Sequence, residues 1–158
     1  MESRFNLDQI DRKILLLIQE NGRLTNAEIA EKVCLSPPAC WKRIKRLETN
    51  FIQGYHATLN PQALGYGIFA FVNVMLESHS EKAMQSFEAE VCLMPNIVSC
   101  HNISGKYDYL LQIVVGSMED FHRVGMRKIR ELGNVKEVYT GFSLKEVKRS
   151  PIIPLENF

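Results

Sequence analysis

The chain has 158 residues, 46% of them hydrophobic and 23% charged, with a formal net charge of +1. This is globular composition, with enough apolar material for one domain or two small ones. No apolar run reaches the length of a helical membrane span. The charged opening "MESRFNLDQIDRK" lacks the apolar stretch of a secretory leader, so a cytoplasmic protein with no membrane partner is expected.

The first segments predict helices. From about Gln9 to Glu20, Ile10, Ile14, Leu17 and Ile18 recur at helical spacing, with Asp8 as cap and Asn21-Gly22 as stop. Thr25 and Glu28 form a T-x-x-E capping box for a short second helix with Ile29, Ala30 and Val33 as its apolar stripe. A third helix opens in "SPPACWKRIKRLE". Ser36 is a good N-cap, and Pro37 takes the first helical position, where a missing N–H costs no hydrogen bond. On a helical wheel Cys40, Ile44 and Leu47 fall together toward the core. Pro38, Lys42, Lys45, Arg46 and Thr49 gather on the opposite side. Trp41 falls on the flank, a position suited to packing on the bundle or to contact with a partner.

In "FIQGYHATLNP", Ile52, Tyr55, Ala57 and Leu59 predict a short strand or hairpin with an irregularity at Gly54. "NPQALGYG", with Pro61, Gly65 and Gly67, reads as a hinge over 61–67. It divides a domain over 1–60 from a second over 68–158. The second half alternates: strand "IFAFVNVMLE", helix "EKAMQSFEAEVCLM" built on Ala83, Phe87, Val91 and Met94, strand "IVSCHNIS", turn "GKYD", and strand "YLLQIVVG". Then come helix "MEDFHRVGMRKIREL", built on Phe121, Val124, Ile129 and Leu132, and a long strand "VKEVYTGFSLKEVK". The order βαββαβ names a ferredoxin-like split βαβ domain, so the fold class is α+β. Both helices on one sheet face leave the other bare. Apolar residues on that bare face predict burial against a second copy of the chain.

The charge is local. Residues 1–60 hold nine Lys/Arg against seven Asp/Glu, and the remainder ten against eleven. Lys42, Arg43, Lys45 and Arg46 place four positive charges in five positions, which points to an anionic partner. Two helices, a short connection "VCLSP", a third helix with a basic ridge and a following strand pair fit a winged helix-turn-helix. Lysines and arginines on such a ridge gain from phosphate neutralisation and reach guanine acceptors in the major groove of double-stranded DNA. The free N–H groups after Ser36 suit a phosphate. The candidate DNA-binding residues are Ser36, Pro38, Trp41, Lys42, Lys45 and Arg46.

The four cysteines, Cys34, Cys40, Cys92 and Cys100, form no C-x-x-C and have no histidine at zinc-ligand spacing, so no metal site is expected. Cys40 and Cys92 occupy apolar-periodic positions and read as buried hydrophobes. His56, His79, His101 and His122 are scattered, and no nucleophile elbow, P-loop or dinucleotide glycine set is present, so no enzyme is expected.

The stretch from "LDQIDRKILLLIQENGRLTNAEIAEKVCLSPPACWKRIKRLE" to "TLNP" resembles the N-terminal half of the Lrp/AsnC (feast/famine) regulators. "SGKYDYLLQIVV" and "GFSLKEVK" resemble its C-terminal half. The resemblance runs from about Leu7 to Lys148. It implies a transcription regulator, dimers that pair their sheets, assembly of dimers toward an octamer, and a small amino-acid effector with no other cofactor.

An amino acid needs an acceptor for its ammonium, donors for its carboxylate and a pocket. "SGKYDYLL" offers these in one turn. Gly105 exposes backbone N–H, Asp108 supplies a carboxylate, and Tyr107 and Tyr109 bracket it. Alternation puts Tyr107, Tyr109, Leu111 and Ile113 on one face and Asp108 on the other. Asp108 can also merely fix the hairpin or pair with a lysine, and the resemblance favours the effector role. The candidate effector residues are Gly105, Tyr107, Asp108 and, more weakly, Thr140, with Ser143, Met126 and His101 behind them. Lys106 stands where some relatives carry an acidic residue. The competing readings are a DNA-organising protein without effector and a cysteine-based redox regulator.

Overall fold

Asp8 opens the first helix, α1 (Gln9–Glu20), through a reciprocal cap: its carboxylate accepts the Asp11 N–H, and Asp11 accepts the Asp8 N–H. The structure is a computed structural model that describes residues 7–148, 150 and 152–155; the side chain of Val124 lies outside the described set. Thr25 and Glu28 cap α2 (Asn26–Lys32) in the same way. The turn into α3 (Pro37–Asn50) is a Schellman motif: Leu35 N–H bonds the Ala30 carbonyl, Cys34 N–H bonds that of Glu31, and Cys34 takes φ 55°. Asn26 Nδ2 donates to the Pro37 carbonyl and ties the start of α2 to the start of α3. The core of this unit is Ile14, Leu15, Ile29, Ala30, Val33, Cys40, Ile44 and Leu47. Leu15 was absent from the expected stripe. Ile10, Leu17 and Ile18 are half-buried around it.

The strand pair expected over Ile52–Leu59 does not form. Residues 52–60 carry no regular structure, and Tyr55 and Leu59 are exposed. The apolar alternation there is real, but no neighbouring strand among the described residues takes its hydrogen bonds, so the wing of the expected winged motif is not formed as a sheet there.

Contacts divide the chain into two units. The first joins the residues up to Thr58 with those from Lys148, and the second is Leu59–Val147. The tail, expected with the second domain, therefore sides with the first. Ile153 N–H donates to Gln19 Oε1 (2.7 Å), Gln19 Nε2 returns a bond to the Ile153 carbonyl (3.3 Å), and Leu155 packs on the helical core.

In the second unit, a short 3-10 turn (Gln62–Leu64) closed by Gly65 at φ 83° leads into β1 (Ile68–Leu76). Then come α4 (Glu81–Cys92), β2 (Ile97–Asn102), β3 (Tyr109–Val115), a helical segment α5 over 118–131 and β4 (Val135–Phe142). The sheet is antiparallel in the order β2-β3-β1-β4, the ferredoxin-like arrangement. The last strand stops at Phe142, short of the expected Lys148. α5 is π-helical over Phe121–Arg127. A Cβ on Gly125 would stand 2.9 Å from Phe121 Cε2 in the same helical segment, so a larger residue there requires the buried Phe121 ring to shift, whereas Ile113 Cδ1 of the sheet, at 3.4 Å, is in ordinary contact.

Ala70, Val72, Val74 and Leu76 of β1 and Tyr109, Leu111, Ile113 and Val115 of β3 face the helices, where Phe87, Val91, Phe121 and Ile129 cover them. On the reverse face of the sheet, Phe71 and Tyr139 are exposed.

Candidate functional site

α3 is held on both flanks. On one, Asp11 of α1 is fully buried and accepts two arginines. Arg43 Nη1 lies 2.8 Å from Asp11 Oδ1 and 2.5 Å from Asp8 Oδ2, and Arg46 Nη2 bonds Asp11 Oδ2. The Asp11 N–H, then the Arg43 guanidinium, hold the Asp8 carboxyl below the usual carboxylate range. On the other flank Lys45 Nζ lies 2.7 Å from Glu48 Oε2, and the Tyr55 hydroxyl donates to Glu48 Oε1 (3.2 Å). Lys45 holds the Glu48 carboxyl below its usual range. Trp41, 53% exposed, borders a cleft of about 290 Å³ with Ile18, Leu24, Asn26 and Tyr55.

Three of the four clustered positive charges are therefore paired. Lys42, exposed on the outer face, has no carboxylate partner among the described residues. Beside it, Ser36 and Pro38 are exposed. Ser36 has N-cap backbone geometry, but its hydroxyl makes no cap hydrogen bond. The outward face of α3 thus offers an ammonium, a free hydroxyl and an open helix start, the groups a phosphate backbone takes.

In the second unit the turn between β2 and β3 is built around Asp108. Its N–H donates to the Val74 carbonyl and its own carbonyl accepts from Ile103 N–H. Its Oδ2 accepts the Leu76 N–H (2.7 Å) where the register of β1 against β4 shifts, and its Oδ1 lies 2.9 Å from His79 Nε2. A backbone N–H at a bulge loses its ladder partner, and the carboxylate replaces it. The Tyr107 hydroxyl donates to Glu137 Oε1 (2.9 Å), Lys106 Nζ reaches the same oxygen (3.1 Å), and the Tyr107 ring stacks on Tyr139 at 6.3 Å. Lys106, then Tyr107, lower the Glu137 carboxyl, and Tyr107, then Glu137, raise Lys106. Gly105 sits at φ 124°, and the backbone N–H groups of 104–107 donate to nothing among the described residues.

Residues 7–48 match the AsnC-type helix-turn-helix domain, and residues 69–153 match the Lrp/AsnC ligand binding domain. The chain belongs to the Lrp/AsnC family. It is similar to the leucine-responsive regulatory protein of Rhizobium meliloti, 38% identical over 94% of this chain and 96% of that one. The protein of the same name from Escherichia coli K12 is 37% identical over 92% and 89%. A transcriptional regulator from Neisseria meningitidis, solved as a complex with L-methionine, superposes with a TM-score of 0.91 at 37% identity, covering 96% of this chain and 99% of that one. An Lrp/AsnC chain with these two domains is a transcription regulator rather than an enzyme, and DNA is the partner of its helix-turn-helix.

Within this Lrp/AsnC chain the candidate DNA-binding residues share α3, but their surroundings differ. Ser36, Pro38 and Lys42 are open, Lys45 is bound to Glu48, Trp41 borders the flank cleft, and Arg46 lies on Asp11. Of the effector candidates, Gly105, Tyr107 and Asp108 share one turn. Thr140 Oγ1 instead contacts Met126 Sδ (3.6 Å), with Thr140 paired to Val72 on the helix-facing side of the sheet. Tyr107 does not share the face of Tyr109. β3 begins at Tyr109, whose buried hydroxyl donates to Glu88 (2.7 Å), while residue 107 precedes the strand and escapes its alternation. Burial, then Glu88, raises the Tyr109 phenol well above its usual range.

Cys92, expected to be buried, is exposed at the end of α4, while Cys40 is buried as expected. Burial raises the Cys40 and Cys100 thiols. The sequence reading missed the Asp8/Asp11 pair and its arginines. The pattern was there: D-x-x-D at the start of α1 and R-x-x-R in α3 each repeat after one helical turn.

Proposed function

We propose that this regulator reads double-stranded DNA with the outward face of α3 and that an amino acid bound by the second unit modulates that binding. The observation that supports the DNA reading best is Lys42, an ammonium with no carboxylate partner among the described residues on an otherwise clamped helix. Lys45, Ser36, Pro38 and Trp41 would flank it. Glu48 is an exposed-pair partner that a phosphate can replace, since such pairs contribute about 0–1 kcal/mol.

For the effector, the free N–H groups of 104–107 beside Gly105 suit a carboxylate, and the Tyr107–Glu137 pair suits an ammonium. Asp108 would shape this turn. The L-methionine complex of the Neisseria meningitidis relative makes L-methionine the first amino acid to test. The exposed Phe71 and Tyr139 support pairing of the sheet's reverse face with a second copy, dimers assembling toward an octamer in the cytoplasm.

The test is fluorescence anisotropy on a duplex that the wild-type protein selects from a randomised pool, with and without each proteinogenic amino acid. One amino acid should shift the affinity and raise the melting temperature by mass action. If none does either, the effector reading fails and only the DNA reading stands.

A further inference from the structure

We propose that Arg46 is a positioning residue rather than a DNA contact: with Arg43 it sets the rotation of α3 on α1 through the buried carboxylate of Asp11. This rests on α3 being the helix that meets DNA.

Asp11 is the one charged residue that the described core buries completely. A carboxylate removed from water is costly unless paired and hydrogen-bonded. Here both oxygens are used. Oδ1 takes Arg43 Nη1 (2.8 Å), and Oδ2 takes Arg46 Nη2 and the Asp8 N–H (3.2 Å). Arg43 reaches on to Asp8. Aspartates one turn apart on α1 thus meet arginines one turn apart on α3.

Two such points fix rotation as well as distance, because a helix free to roll would break one bond to keep the other. Cys40, Ile44 and Leu47 seat α3 in the core, but apolar packing is non-directional and tolerates small rolls. The guanidinium pair is directional. A roll of α3 would carry Lys42 and Pro38 off the surface they share with Ser36. An Arg46 extended to a phosphate would leave Asp11 with Arg43 alone, so the buried charge opposes that use.

The experiment measures the affinity of Arg46→Gln, Asp11→Asn and the double variant for the pool-selected duplex across a salt series, below the melting temperature of each protein. Lys42→Ala serves as the α3 control. Positioning predicts that Arg46→Gln and Asp11→Asn each weaken binding by about tenfold, the double variant no further, because the pair acts as a unit. The slope of log affinity against log salt stays at the wild-type value. Three results overturn the proposal. In the first, Arg46→Gln lowers the slope by about 0.9 while Asp11→Asn binds as well as wild type or better, which makes Arg46 a phosphate contact. In the second, all three folded variants keep wild-type affinity, which makes the pair a stabilising device only. In the third, the two losses add in the double variant. Arg46 is half-exposed, so Arg46→Gln folds and decides between slope and affinity even where Asp11→Asn does not. A Lys42→Ala variant with unchanged affinity and slope identifies failure of the α3 reading itself.

Discussion

His79 Nε2 lies 2.9 Å from Asp108 Oδ1, while the opposite oxygen takes the Leu76 N–H from 2.7 Å. Both oxygens of the carboxylate that the sequence offers to an amino-acid ammonium are therefore already in use, which leaves Glu137 as the acceptor at this turn. The carboxylate replaces a ladder bond at the β1 bulge, where Leu76 is 1% exposed. Asp108→Ala leaves that N–H without an acceptor and should cost about 1–3 kcal/mol. Scanning calorimetry of the ligand-free protein checks this. A variant that melts with the wild type would show that the bulge does not need the carboxylate. DNA affinity should survive the substitution.

Lys42→Ala should weaken DNA binding and lower the salt slope by about 0.9, the loss of one phosphate contact. Glu48→Gln should act in the opposite direction. It frees Lys45 from its 2.7 Å partner and removes a negative charge from the helix that meets DNA. Affinity at low salt should rise. A gel-shift series comparing the two variants carries the check, and a Glu48→Gln protein that binds more weakly would place Glu48 in a role other than restraining Lys45.

The elements themselves were legible because local chemistry agreed with global pattern. Asp8, Thr25 and Ser36 start the helices they predict, and Ile14, Ile29, Cys40, Ile44 and Leu47 are buried as their spacing requires. The wing was misread because alternation in Tyr55, Ala57 and Leu59 states a preference, while a strand needs a neighbour to take its hydrogen bonds. At the sites, charge counting gave four positives in five positions, three of them on the outward ridge, but pairing leaves only Lys42 of the four without a carboxylate among the described residues. A helical wheel contains no other helix, so it could not show Asp11 beside Arg46. The effector turn was legible as a cluster and misread in detail, because alternation was extended to Tyr107, outside β3.

The thiols should separate by reactivity. Cys34 and Cys92 are exposed, Cys40 is buried, and Cys100 is half-buried. Burial pushes the last two above the usual thiol range, which lowers their thiolate fraction near neutral pH. Timed alkylation with mass spectrometry should label Cys34 and Cys92 first. If Cys40 labels as fast as Cys34 in the native protein, the α3 core opens more readily than its packing implies. Cys34 also holds a left-handed backbone at φ 55°, so Cys34→Gly should stabilise the helical unit by about 1 kcal/mol.

Acid should unfold the helical unit below the ordinary carboxylate range. The Asp11 N–H lowers the Asp8 carboxyl, the Thr25 N–H lowers Glu28, and Lys45 lowers Glu48. A depressed folded pKa gives stability that is fully present above the unfolded pKa and lost as pH falls through the folded one. The loss therefore begins near pH 4 and grows below it, given unfolded values of about 3.9 for Asp and 4.3 for Glu. Trp41 is the chain's single tryptophan and sits in this unit, so acrylamide quenching of its fluorescence follows the transition. A midpoint above about pH 5 would point to a group other than these carboxylates.

The tail should stabilise the helices it returns to. Ile153 and Gln19 exchange two hydrogen bonds, backbone to side-chain amide, and Leu155 packs on the core of Ile14, Ile29 and Leu47. An exposed amide pair contributes little by itself, so the apolar contact of Leu155 should dominate. Gln19→Ala should lower the stability of the helical unit by less than about 1 kcal/mol, and Leu155→Ala by about 1–2 kcal/mol. The double variant should exceed either, since the two contacts hold neighbouring points of one segment. Urea denaturation followed by Trp41 fluorescence reads the helical unit directly. The ferredoxin-like unit holds no tryptophan, so its own unfolding does not enter that trace. If Leu155→Ala leaves the midpoint where it was, the tail rests on α1 without stabilising it.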